Sequence, residues 1–250
     1  MEKDKQKRSE KHFDEFAESY DTHFFNALVF SRVHKQLQKI IYSFENNKLE
    51  NKYFLDVGCG TGNFLLKMAE ENPSSYFLGV DISKKMIEIA KSKNRFKNLE
   101  FRVGDIFSLP EEKFDYITSC FSFHHWPNQQ ESISRAYNLL NEGGKLIIAD
   151  LRIPLFSGEG TTKVVSAKEM KELFQKGGFA EVKQYSSTES GKWGIAASYL
   201  GVAGAILSYF FAPNAIKPFS SLGSYLTFGF GLFYSAPNWV SKITLGEKIK

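Results

Sequence analysis

Three glycines at alternate positions form the first part of this 250-residue sequence that could hold a ligand. Gly58, Gly60 and Gly62 lie in the stretch DVGCGTGN, which spans residues 56–63. Glycine has no Cβ, so the chain can turn tightly there and let a ligand approach the backbone closely. The helix predicted to follow the turn would direct its N–H groups at the same ligand. The pattern therefore predicts a binding loop, with the carboxylate of Asp56 immediately before it.

A carboxylate also follows each of the next two predicted strands. Asp81 comes roughly 20 residues after the glycines, where a carboxylate can accept two hydrogen bonds from a ribose diol. Asp105 can accept a hydrogen bond from an exocyclic amine, and Ile106 can pack on the face of a ring. One such Asp alone is more often a helix cap or a loop residue. Three acids after successive strands weaken that interpretation and favour a ligand with a ribose and an amine-bearing ring.

The glycine spacing argues against a dinucleotide. A dinucleotide-binding turn has the pattern G-x-G-x-x-G. Counting from Gly58, its last glycine would fall at position 63, which is Asn63. A nicotinamide-dependent oxidoreductase is therefore disfavoured.

Side chains that could move a proton follow the fourth and fifth predicted strands. The segment FSFHHW, residues 121–126, contains His124 and His125. Either histidine could take a proton from an enol or a phenol. The alternative is that both only shape a pocket or cap the next helix. Asp150, after the fifth strand, could contact a substrate or polarise a histidine.

Alternating strands and helices must position these residues. Short apolar runs predict strands at 53–57, 75–80, 99–104, 114–120, 143–151, 180–187 and 193–200. Amphipathic segments predict helices between most of them. This order is typical of an α/β fold with a mostly parallel sheet covered by helices on both faces, and the last two strands should form an antiparallel pair. Such sheets bind ligands beyond the carboxyl ends of their strands, where the predicted site residues lie.

Several of these stretches resemble a known family. LDVGCGTGNF, GVDISKKMIEIA, VGDIFSLP and FDYITSCFSFHHWPN, followed by LNEGGKLIIADL, are similar to successive motifs of class I S-adenosylmethionine-dependent methyltransferases. Within that class they resemble the ubiquinone/menaquinone-biosynthesis (methyltransferase type 11) group. The resemblance covers about residues 9–200, and it implies a Rossmann-like seven-stranded fold with S-adenosyl-L-methionine as the cofactor.

The resemblance also implies roles for individual residues. The glycines would cradle the methionine part of the cofactor, Asp56 would orient the loop and the amino group, and an aromatic ring near the N-terminus would close over the site. The implied cofactor-binding residues are Tyr20, Asp56, Gly58, Cys59, Gly60, Gly62, Asp81, Ile82, Asp105, Ile106 and Phe121. The candidate catalytic residues remain His124, His125 and Asp150.

Composition excludes several other classes. The formal net charge is +4, and no long basic block occurs outside the extreme N-terminus, so nucleic acid is not an expected partner. The two cysteines, Cys59 and Cys120, cannot build a disulfide framework or a zinc-type cluster, so no metal is expected. The first residues mix both charges and lack the apolar core of a signal peptide. These features predict a cytoplasmic protein.

The C-terminal part departs from the family pattern. Residues 193–241 contain a single charged residue, Lys217. A helix over 201–212 would rise about 18 Å, too short to cross a hydrocarbon core of about 30 Å. A second apolar run, 222–236, ends at Pro237. The pattern favours a hairpin that enters one leaflet through residues 201–241, with a lid or a dimer interface as alternatives.

The sequence thus predicts three regions: a helical cover over 1–50, a cofactor-binding domain over 51–200 and an apolar extension over 201–250. The predicted function is S-adenosylmethionine-dependent methylation of a lipophilic small molecule, such as a quinone precursor or another lipid, by a protein held peripherally or monotopically at a membrane. A soluble methyltransferase for a polar metabolite and a non-catalytic, cofactor-sensing membrane protein are the alternatives. The methyl acceptor and the oligomeric state stay open.

Overall fold

The computed structural model describes residues 2–22, 24–151, 164–186 and 241–249. The strand predicted at 193–200 and the apolar segments between 201 and 240 lie outside these residues. Among the residues that are described, no helix is both long enough and apolar enough to cross a membrane.

Helices and strands alternate through most of the described chain. The α-helices are α1 (Glu2–Phe16), α2 (Phe24–Ser43), α3 (Asn63–Glu71), α4 (Lys84–Lys93), α5 (Gln129–Leu139) and α6 (Ala167–Lys176). The strands are β1 (Tyr53–Val57), β2 (Tyr76–Asp81), β3 (Leu99–Val103), β4 (Phe114–Cys120), β5 (Leu140–Leu151), β6 (Glu181–Tyr185) and β7 (Ser241–Glu247). Short 3-10 turns occur at Ala17–Ser19 and Phe123–His125.

One seven-stranded sheet joins all these strands in the order β3-β2-β1-β4-β5-β7-β6. The pairs among β1 to β5 are parallel, and only β7 runs antiparallel to its neighbours. The predicted α/β fold with a mostly parallel seven-stranded sheet is therefore confirmed. β2 and β3 extend the sheet on one side of β1, and β4 and β5 extend it on the other. The strand order therefore reverses between β1 and β4, and the switch point of the sheet lies at their carboxyl ends.

The strands are buried on both faces, which explains why their sequences are continuous apolar runs. Successive side chains of a strand point to opposite faces. Phe54 packs in one cluster with residues of α2 and α3, such as Leu37 and Leu65. The next residue, Leu55, packs in a second cluster with residues of α5 and α6, such as Ile133 and Phe174. Burial on both faces favours parallel pairing with helices above and below.

The seventh strand is not the one that the sequence predicted. The strand that pairs with β6 is β7, in which Ile243, Thr244 and Leu245 are buried. Residues 241–250 belong to the same compact unit as residues 1–187, while 188–240 form a second unit. The predicted extension over 201–250 is therefore wrong at its end, because 241–247 supplies a strand between β5 and β6. The predicted cover over 1–50 lies within the first unit.

Residues 188–240 are thus an insertion in a hairpin. Tyr185 in β6 pairs with Ile243 in β7, so the insertion starts and ends on neighbouring strands. Because β7 is antiparallel to β5 and to β6, β6 runs in the same direction as β5. Both attachment points therefore lie at the carboxyl end of the parallel strands, where ligands bind in folds of this kind.

Candidate active site

The carboxyl ends of the parallel strands border a space of about 730 Å³, partly open to solvent, which we call the main cavity. The predicted site residues that line it are Tyr20, Gly58, Gly60, Asp81, Ile82, Asp105, Ile106, Phe121 and His125. Asp56 and Cys59 instead line an adjoining space, the side cavity. Gly62, His124 and Asp150 line neither of these two spaces.

Gly60 and Gly62 of the glycine turn have different surroundings. All three glycines of the turn have positive φ, at 77° for Gly58, 53° for Gly60 and 80° for Gly62. A Cβ on Gly62 would lie 2.5 Å from Phe101 Cζ, so the absence of a side chain here lets the start of α3 pack closely against β3. A Cβ on Gly60 would find nothing closer than Tyr20 Cε1 at 3.7 Å. The backbone at Gly60 therefore faces open space that a ligand can fill.

Asp81 connects the glycine turn to the start of α4. The Gly60 N–H donates to Asp81 Oδ2, and the Ser83 N–H donates to Asp81 Oδ1, both at 2.9 Å. The side chain is buried, and this burial raises its pKa. Each carboxylate oxygen can accept more than one hydrogen bond. Asp81 can therefore hold the turn and still accept from a diol in the main cavity.

Asp105 is fixed by its own loop. The N–H groups of Phe107 and Ser108 both donate to Asp105 Oδ1 at 3.0 Å. The loop interpretation of this residue is thus correct, and the same carboxylate also lines the main cavity. Ile106 beside it is only 2% exposed and supplies an apolar wall. A polar edge and an apolar face lie next to each other, as recognition of an amine-bearing ring requires.

Asp56 is buried at the end of β1. The Thr118 hydroxyl donates to Asp56 Oδ1 at 2.6 Å. Burial raises the pKa of Asp56 to about 7, and the negative charge of Asp81 adds to this effect. The carboxyl group faces the side cavity and not the main one.

The N-terminal helices cover the turn through aromatic and polar contacts. Phe121, at φ 54°, stacks on Phe30 of α2 with ring centroids 4.7 Å apart. Tyr20 lies 5.9 Å from the same Phe30 ring and lines both cavities. Asp21 accepts from the Thr61 hydroxyl at 2.6 Å and from the Asn63 amide at 2.8 Å. Sequence analysis singled out Tyr20 in ESYD but missed the adjacent Asp21, which ties the cover to the glycine turn.

The two neighbouring histidines face different surroundings. His124 is buried, and its Nδ1 lies 2.6 Å from Asp150 Oδ1. His125 lines the main cavity, where its Nδ1 lies 3.4 Å from Ser9 Oγ and its ring meets the edge of Phe13. The ring centroids of His124 and His125 are 4.1 Å apart. Of the two histidines only His125 lines the main cavity, while His124 lies within hydrogen-bond distance of Asp150.

Most residues that sequence analysis missed in the main cavity are apolar. Phe13, Phe16, Ala17 and Tyr20 recur at a helical spacing and share one face, but this spacing cannot distinguish a core position from a cavity wall. The missed apolar lining residues are Phe13, Val57, Met86, Phe107, Cys120 and Pro127, and Gly104 and Ser132 were missed as well. The lining of the main cavity is therefore more apolar than the polar motifs alone indicated.

The residues present fit S-adenosylmethionine. Open space in front of Gly60 leaves room for a ligand against the backbone. Asp81 and Asp105 offer carboxylate oxygens, suited to ribose hydroxyls and to an adenine amine, and Ile106 offers an apolar face.

Comparisons with known proteins point in the same direction. The family model of the methyltransferase domain matches residues 48–197. A demethylmenaquinone methyltransferase from Oceanobacillus iheyensis is 26% identical over 234 residues, covering 79% of this chain and 95% of the relative. One from Listeria welshimeri is 29% identical over 168 residues, covering 63% and 68%. The solved phosphoethanolamine N-methyltransferase 2 of Haemonchus contortus, with S-adenosyl-L-methionine, has a TM-score of 0.60 at 18% identity, over 95% of this chain and 60% of that one. The last likeness is one of fold.

Proposed function

Because the chain belongs to the methyltransferase-domain family, as a class I enzyme that uses S-adenosylmethionine, we propose that it methylates a lipophilic small molecule at a membrane surface. A quinone precursor is our model acceptor, since two relatives carry demethylmenaquinone in their names. One observation carries the proposal. The nearly uncharged insertion joins the sheet at the end of β6 and the start of β7, and both points lie at the same carboxyl edge of the sheet as the main cavity.

The chain contributes mainly binding and orientation. When bound, S-adenosylmethionine supplies an electrophilic methyl group. The main cavity is lined on its polar side by Asp81 and by the turn at Gly58 and Gly60. The aromatic rings of Phe13 and Trp126 line the same cavity. Such walls exclude water and favour a flat, apolar acceptor. Holding the two reactants in line removes much of the entropic barrier to transfer.

An acceptor that carries a proton at its reacting atom needs a base, and we assign that task to His125. It is the histidine of the pair that lines the main cavity, and it would take the proton on a ring nitrogen. His124 and Asp150 lie behind it and touch neither cavity. We propose that they position the His125 ring.

Replacing His125 with alanine should lower kcat on a phenolic or enolic acceptor by about 100-fold or more, the usual contribution of a general base. The affinity for S-adenosylhomocysteine should change by less than about threefold, since the base serves the acceptor and not the cofactor. Turnover and isothermal titration calorimetry on the same preparation separate the two effects.

Added imidazole should restore part of the rate that His125→Ala loses. It should not raise the rate of the wild type. The matched variant is His12→Ala, which removes an exposed imidazole from α1 and should leave kcat unchanged. Full activity of His125→Ala on such an acceptor would refute the base assignment, leaving both histidines as pocket-shaping residues.

The membrane proposal is tested by removing the insertion while keeping β7. Truncation at residue 200 would also delete the strand between β5 and β6. Replacing residues 188–240 with a linker of about four glycine and serine residues closes the hairpin instead. This variant should bind S-adenosylhomocysteine normally but no longer sediment with phospholipid vesicles. Its rate on a vesicle-embedded quinone should fall about tenfold or more, because enzyme and acceptor no longer share a surface.

A water-soluble quinone analogue with a short side chain is the control for this variant. The variant should methylate it as fast as the full chain does, which excludes damage to the site. If the full chain stays in the supernatant with vesicles, or if the variant keeps its full rate on the embedded quinone, the insertion has another purpose and the lipophilic acceptor loses its main support.

A further inference from the structure

The side cavity adjoins the main cavity at the glycine turn. It encloses about 750 Å³, partly open to solvent, and it shares four lining residues with the main cavity: Tyr20, Gly58, Gly60 and Cys120. Its remaining lining residues are Asp21, Phe30, Ser31, His34, Asp56, Cys59, Thr61, Asn63 and Phe64. The two cavities therefore adjoin each other on either side of the glycine turn.

The side cavity combines one buried acid with one imidazole. Asp56 closes it at the end of β1, and His34 lines it from α2. The His34 ring lies between aromatic neighbours, with centroid distances of 5.1 Å to Phe64 and 6.4 Å to Phe30. Burial lowers the pKa of His34 to about 4, with the charge of Lys67 as a smaller cause, so the ring is neutral at pH 7 and offers one N–H donor.

The cofactor has a part that the main cavity does not account for. The predicted contacts of Asp81 and Asp105 concern its ribose and adenine, whereas its amino-acid end carries an ammonium and a carboxylate. Among the described residues that line the side cavity, none is a lysine or an arginine. The carboxylate would therefore meet His34 as the basic side chain there, and the ammonium would meet an acid such as Asp56.

The family resemblance already implies that the glycine turn holds the methionine part of the cofactor. We propose that, in the side cavity, the His34 N–H donates a hydrogen bond to the carboxylate of that part. His34 is then a cofactor-binding residue outside all the sequence motifs of the site. The assignment rests on the cofactor alone, so it does not depend on which acceptor the enzyme methylates or on the membrane proposal.

Two ligands that differ only in the amino-acid end test this assignment by calorimetry. S-adenosylhomocysteine has that end, and 5′-methylthioadenosine lacks it. His34→Phe keeps an aromatic ring among Phe30 and Phe64 but removes the donor. We expect His34→Phe to weaken S-adenosylhomocysteine binding about tenfold or more, the usual effect of losing one hydrogen bond to a charged group. Binding of 5′-methylthioadenosine should change less than about twofold, since that ligand never reaches the donor.

His34→Gln provides the rescue, because its amide keeps an N–H donor, and it should recover part of the difference between the two ligands. His12→Phe, an exposed histidine replaced in the same way, should leave both affinities unchanged. An equal loss for both ligands, or no loss for either, would overturn the assignment while the cofactor itself stands. If the wild-type chain bound neither ligand, the cofactor and this inference would fall together.

Discussion

Replacing Asp81 with alanine is expected to lower the affinity for S-adenosylhomocysteine by about 100-fold or more. The carboxylate is a candidate acceptor for the ribose, and it also accepts from the N–H groups of Gly60 and Ser83. Alanine removes the ribose acceptor and leaves two N–H groups in a buried site without this partner. Each hydrogen bond to a charged group contributes about 1.5–3 kcal/mol, so losing two already accounts for a factor of about 100.

Calorimetry on three variants separates the ligand effect from the effect on the turn. Asp81→Asn keeps one acceptor oxygen, and it should fall between the wild type and Asp81→Ala. Glu88→Ala removes an exposed carboxylate from α4 and should bind normally. If Asp81→Ala bound within about threefold of the wild type, Asp81 would serve only to tie the turn to α4, and another group would have to hold the ribose.

Asp56→Asn is expected to stabilise the ligand-free protein at pH 8 and not at pH 4. Burial raises the pKa of Asp56 from 3.8 to about 7, so the folded state disfavours the charged form. A raised acid pKa makes folding less favourable as pH rises from about 4 to 7, and the full cost is present above 7. That cost is on the order of 4 kcal/mol. Asparagine carries no charge, and its oxygen can still accept from the Thr118 hydroxyl.

Thermal unfolding between pH 4 and pH 8 measures this effect directly. The Tm of Asp56→Asn should exceed that of the wild type by about 8 to 16 °C at pH 8, and the difference should vanish towards pH 4. The pKa of Asp81 is also raised, and its contribution to the pH dependence of stability is present in both the wild type and Asp56→Asn. Glu50→Gln, at an exposed position, is the control for a simple charge change. Parallel curves for Asp56→Asn and the wild type would mean that Asp56 is charged without cost in the folded state.

The sequence predicted those parts of the fold whose pattern is local. Strands such as β1 and β2 are buried on both faces, and so an unbroken apolar run identifies them. The start of α6 is also visible in the sequence, because Ser166 followed three residues later by Glu169 is the pattern of a capping box, and the two residues form one. Asp81 and Asp105 were found for the same reason, because Asp81 is the last residue of β2 and Asp105 lies two residues beyond β3.

Other features depend on contacts between distant parts of the chain. Nothing in the sequence of His124 and His125 tells which ring faces the cavity, because that is decided by Asp150 on β5 and Ser9 on α1. His34 lies in an ordinary helical segment, so its place in the side cavity follows from packing alone. The partner of β6 was missed because the insertion separates β7 from it along the chain. The periodicity of a sequence identifies single strands but does not show which distant strands pair.

The position of β7 also has a consequence for how the protein is made. Ribosomes synthesise the chain from its N-terminus, so residues 188–240 leave the ribosome before β7 does, and domains generally fold as their sequence becomes available. Until 241–247 emerges, β5 and β6 have no strand between them, and the sheet cannot be completed. A product interrupted anywhere within the insertion therefore lacks β7 as well. Every copy that completes its sheet carries the apolar segment, so translation couples the folded enzyme to the part of the chain that we propose brings it to its substrate.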